Sequence, residues 1–91
     1  MHVFVVERYL PALTADGVRA QARREQELVG IRHLRTTYLR DDELGFSVFE
    51  APSIDVVREA NDLMGMAYER ITEAIDVTDE AMEGRAWATE A

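Results

Sequence analysis

The chain has 91 residues, with 18 Asp and Glu against 10 Lys and Arg for a formal net charge of -8, and it contains no cysteine. A chain of that length makes one domain, near the lower limit for a core that stands without help. The acidic balance repels nucleic acid and anionic lipid, and the missing thiols exclude disulfides, thiolate metal sites and cysteine nucleophiles.

Val3-Phe4-Val5-Val6 is dense in β-branched and aromatic residues, runs on through Glu7-Arg8-Tyr9-Leu10 and is stopped by Pro11, which predicts a first strand. Thr14, Asp16 or both cap a predicted helix reaching about Val29, with Val18, Ala22 and Val29 on one side and Arg19, Arg23 and Glu27 paired outward. Gly30 is placed to end it. The segments 31–39 and 44–51 then read as two strands joined through the polar group Arg40-Asp41-Asp42-Glu43.

Pro52-Ser53 breaks the third strand and caps a second helix, whose Ile54, Val57, Ala60 (or Asn61) and Met64 form a core stripe before Gly65. From Arg70 the period returns to two: Ile71, Glu73, Ile75 and Val77 share one face, and Thr72, Ala74 and Asp76 the other. The remainder, 78–91, is a tail or a short helix capped by Thr78 or Asp79, which would present Met82, Ala86 and Trp87.

This order predicts an α+β, ferredoxin-like βαββαβ sandwich over residues 1–77, with a four-stranded antiparallel sheet and two helices on one face. Strand 1 lies between strands 3 and 4, and strand 2 is an edge. Strands 1 and 3 carry large apolar residues on both faces, so the second face needs a cover. A homodimer through that face, giving an α+β barrel, is the expected architecture. The apolar run 3–6 is too short for a signal-peptide core, and no stretch approaches the roughly 20 residues that span a bilayer. A cytoplasmic protein with no membrane partner is the expectation.

Glu7 shares a face with Val3 and Val5, Glu50 with Phe46 and Val48, and Glu73 with Ile71 and Ile75. Carboxylates on neighbouring strands can converge and do general acid–base work. Glu7, Glu73 and Tyr38 are thus the candidate catalytic groups; the competing reading places each acid at a strand end, in solvent. On strand 2, His33, Arg35 and Thr37 are expected on one face and Arg32, Leu34, Thr36 and Tyr38 on the other. His33, Arg35, Thr36 and Glu50 are candidate ligand-binding groups, set against the reading of a polar edge that guards against aggregation.

The only histidines are His2 and His33, with no metal-ligand spacing, so a metal site stays open. No phosphate loop, nucleophile elbow or dinucleotide fingerprint occurs, and no cofactor is expected.

Several short motifs then stand together: Glu7-Arg8 with Pro11, Glu50-Ala51-Pro52, Val57-Arg58-Glu59, Gly65, and Arg70-Ile71-Thr72-Glu73. In these, the stretch 3–77 resembles the small ferredoxin-like domains described as nickel-binding or of unknown function. The resemblance implies the same fold and dimerisation. This chain departs from the family pattern at four places: a helix 2 His is Ala60, a strand 2 His is Thr36, a strand 3 Cys is Ser47, and a Pro after Gly65 is Ala67.

The leading expectation is a dimer enclosing a small organic molecule, with cofactor-free isomerase or cyclase chemistry by carboxylate and Tyr. Nickel or another divalent metal is one alternative, and a non-catalytic structural or regulatory dimer another.

Overall fold

The computed structural model describes residues 1–75; Asp76, Val77 and the expected tail lie outside them. Four strands and two helices follow in the order β1 (His2–Tyr9), α1 (Ala15–Glu25), β2 (Arg32–Leu39), β3 (Leu44–Ala51), α2 (Ile54–Leu63) and β4 (Arg70–Ala74). The sheet order is β2-β3-β1-β4, with every neighbouring pair antiparallel. This is the ferredoxin-like α+β fold, and β1 and β3 hold its centre.

One sheet face carries the core. Phe4 and Val6 of β1 and Phe49 and Ala51 of β3 are buried with Leu28, Val57, Ala60 and Met66, which come from the helices and the loops beyond them. Alternation along β1 sends Phe4, Val6 and Arg8 to this covered side and leaves Val3, Val5 and Glu7 on the other.

Local chemistry sets the helix ends. The Thr14 side chain accepts from the Gly17 N–H at 3.1 Å and the Ser53 side chain from the Val56 N–H at 3.4 Å, each satisfying a donor that the first helical turn leaves open. Helix α1 stops at Glu25, short of Val29. Beyond it, Glu27 N–H bonds to Arg24 O and Leu28 N–H to Glu25 O, a tighter turn that swings Leu28 into the core and leaves Val29 80% exposed. After α2, Gly65 takes φ +64, and Met66 N–H reaches back to Asn61 O at 2.9 Å, a left-handed helix stop that suits glycine. Strand β4 ends at Ala74, with Ile75 beyond it almost fully exposed.

Candidate functional site

The register separates the expected carboxylates. Glu7 stands opposite Phe46, and Glu50 opposite Val3, on the face that the helices leave uncovered. Phe46 and Glu50 are four positions apart on β3, roughly 13 Å along a strand, so the two acids cannot touch one ligand atom. Each has its own arginine: Arg70 lies 3.5 Å from Glu7 and Arg32 3.1 Å from Glu50.

Glu73 stands opposite Phe4, on the helix-covered face, because β4 pairs with β1 in the register that sets Thr72 against Val5. It therefore does not join Glu7 and Glu50, as shared alternation had suggested. Its Oε2 meets His2 Nδ1 at 2.9 Å at an exposed corner. Those two residues line a shallow pocket of about 260 Å³ with Phe4, Pro52, Ser53 and Ile54.

Strand β2 breaks its alternation. A bulge between His33 and Arg35 shifts the register, so His33, Thr36 and Tyr38 face the helices while Arg32, Arg35 and Thr37 face outward. Strict period two puts His33 with Arg35 and opposite Thr36; the extra residue at Leu34 reverses that. Tyr38 donates its hydroxyl proton to Leu10 O at 2.6 Å and forms a wall of an open pocket of about 560 Å³ with Ala15, Val18, Arg19 and Arg40. Glu7, Glu73 and Tyr38 thus occupy three separate places.

The bulge instead delivers His33 and Thr36 to a buried polar network. Thr36 Oγ1 donates to Glu25 Oε1 at 2.8 Å and lies 3.2 Å from Ser47 Oγ, its cross-strand neighbour. With its one hydrogen given to Glu25, Thr36 accepts from His33 Nε2 at 2.7 Å, which assigns a proton to that ring nitrogen. The other Glu25 oxygen accepts from Arg8 Nε at 3.1 Å. Arg8 also donates to Ala67 O and to Asn61 Oδ1, and Asn61 in turn donates to Val57 O at 2.8 Å. The Arg8 and Glu25 side chains are 1% and 0% exposed. Burial draws the Arg8 guanidinium below its ordinary pKa, and the Glu25 carboxylate opposes that pull.

Arg8, Glu25 and Asn61 were not among the expected site residues, although spacing marks them. Arg8 is two and four residues from Val6 and Phe4, and Glu25 is seven and three from Val18 and Ala22, so each puts a polar group on the apolar side of its element. Among the described residues, no three His, Asp or Glu side chains converge as metal ligands, and no buried side-chain polar atom lacks a hydrogen bond. No described helix is long and apolar enough to cross a membrane.

Thr36 and Ser47, two of the four positions that depart from the resembled pattern, meet inside this network, and the third, Ala60, is buried in the adjoining core. The fourth, Ala67, is exposed and meets the network only through its backbone oxygen, which accepts from Arg8.

A family model described as nickel responsive protein SCO4226-like matches residues 4–74. No match was found among curated proteins. Among solved structures, the crystal structure of SCO4226 from Streptomyces coelicolor A3(2) superposes with a TM-score of 0.70 at 16% identity, covering 84% of this chain and 99% of that one. At such identity the likeness shows the fold. Because the family match takes in both helices and at least part of every strand, the chain belongs to the SCO4226-like family of nickel-responsive proteins.

Proposed function

We propose that the chain works as a homodimer, closed through the sheet face opposite the helices, and that the dimer encloses a small organic molecule. One observation carries this reading: the outward face is an apolar band with charged ends. Tyr9, Leu44 and Leu39 form one row across β1, β3 and β2, then Phe46 stands between Glu7 and Thr37, and Val48 between Val5 and Arg35. The Glu7–Arg70 and Glu50–Arg32 pairs lie toward the two ends. Tyr9 and Leu39 are about half exposed, which favours a further cover.

A second copy is the natural cover, since a twofold pairing sets the same band against itself and offers each rim acid the partner's rim arginines. Isomerisation or cyclisation by Glu7, Glu73 and Tyr38 needs those groups around one substrate. They lie on two faces of the sheet, so binding without turnover is the better fit. Native mass spectrometry of the purified protein tests this. The expected result is a dimer carrying a small-molecule adduct, with Phe46→Glu losing both; a monomer with no adduct would sink the proposal.

A second reading follows from the exposed corner. His2 Nδ1 and Glu73 Oε2 offer one imidazole and one carboxylate, borderline and hard donors that suit nickel(II), and the family name supplies the metal. Water would complete the coordination. Calorimetry on tag-free protein decides it: saturable nickel binding removed by His2→Ala supports the reading, and no saturation below about millimolar removes it.

A further inference from the structure

The family is named for nickel, yet among the described residues a nest of converging buried oxygen acceptors already holds a cation. Glu25 Oε2, Asn61 Oδ1 and Ala67 O all point at the Arg8 guanidinium, and none lies farther than 3.1 Å from a donor nitrogen. The set is held in place from behind. Thr36 occupies the second Glu25 oxygen, and the Asn61 amide bonds to Val57 O, turning the Asn61 carbonyl toward Arg8.

We infer that Arg8 is the resident cation of the interior, and that its guanidinium closes to nickel and other divalent ions the acceptor nest formed by Glu25, Asn61 and Ala67. Several physical facts carry this. A guanidinium keeps its charge at every ordinary pH, so it cannot make way by losing a proton. A divalent ion approaching Glu25 would meet that fixed positive charge within a poorly screened interior.

The remaining nitrogen donor is also engaged. His33 Nε2 lies 3.9 Å from Glu25 Oε1, close enough to join a metal site with it, but its proton is directed to Thr36 Oγ1. To bind metal there, His33 would have to shed that proton, Thr36 lose the donor it accepts from, and Glu25 Oε1 give up the Thr36 hydroxyl. The nest is a fork-shaped receptor matched to a planar guanidinium, whereas a metal ion needs ligands converging on a point.

This inference goes beyond the dimer reading and does not depend on it, because it concerns groups within one protomer. It is also separate from the His2–Glu73 corner, which lies at the exposed end of β1. The test uses tag-free His2→Ala protein, melted by circular dichroism after EDTA treatment, with and without nickel(II) chloride. Nickel should leave the midpoint unchanged. A second arm uses Arg8→Ala in the full chain: its midpoint should fall, and millimolar ethylguanidinium should raise it again while sodium chloride at equal ionic strength does not. The inference is overturned if nickel raises the midpoint of the His2→Ala protein and Glu25→Gln abolishes that rise. Should Arg8→Ala fail to fold, the nickel arm, which keeps the network intact, still decides.

Discussion

On the helix side of the sheet, the face that carries Phe4, Val6 and Phe49 also carries a buried charged pair with no buried polar atom left unbonded, whereas on the opposite side Val5, Phe46 and Val48 form an apolar centre with ion pairs at its ends. The covered face thus holds a buried ion pair beside its apolar core, and the outward face an apolar centre flanked by exposed ion pairs. Placement of an ion pair, more than its distance, sets what it does. Arg8–Glu25 and Arg32–Glu50 are both 3.1 Å contacts. The first has no water to fall back on and ties α1 to β1, while the second sits where water and salt screen it.

Substitutions on the covered face should therefore be the most disruptive. Glu25→Leu leaves the Arg8 charge buried and unpaired, and a loss of about 3–5 kcal/mol in urea unfolding is expected. Combining it with Arg8→Met should recover much of that loss, since removing both charges lifts the desolvation cost of each. If the double variant is as unstable as the sum of the singles, the pair is not the coupled unit described above.

Thr36→Val is next in size. It keeps the shape of the side chain but withdraws the donor from Glu25 and the acceptor from His33, and should cost about 1–3 kcal/mol by the same measurement. At the small end, Arg32→Ala and Arg70→Ala should each change monomer stability by less than about 1 kcal/mol. A loss at Arg32 matching that at Glu25 would erase the distinction between the faces.

The order of elements was legible because each strand and helix has its own period, and the stops at Pro11, Pro52 and Gly65 are local chemistry that the fold retains. Which residues meet was much less legible. The bulge at Leu34 changes the face of His33 by inserting one residue, and nothing in the composition of β2 announces it. Glu73 was assigned from alternation within its own strand, yet only the pairing with β1 decides which face that alternation presents.

Glu25 illustrates a different limit. A carboxylate at the end of a short helix of mixed polarity gives no sign of its partner until the arginine on the preceding strand is known to lie opposite it. Buried charge is visible in sequence only as a break in an apolar stripe, and Arg8 following Phe4 and Val6 was such a break.

The mass of the protein in solution tests most directly the claim that the outward face is a working surface. Sedimentation equilibrium across micromolar concentrations should give about twice 10.3 kDa for the unmodified chain, and one copy for Val5→Glu with the helical circular dichroism retained. A mass of one copy at every concentration, or a dimer that survives both Val5→Glu and Phe46→Glu, would contradict it.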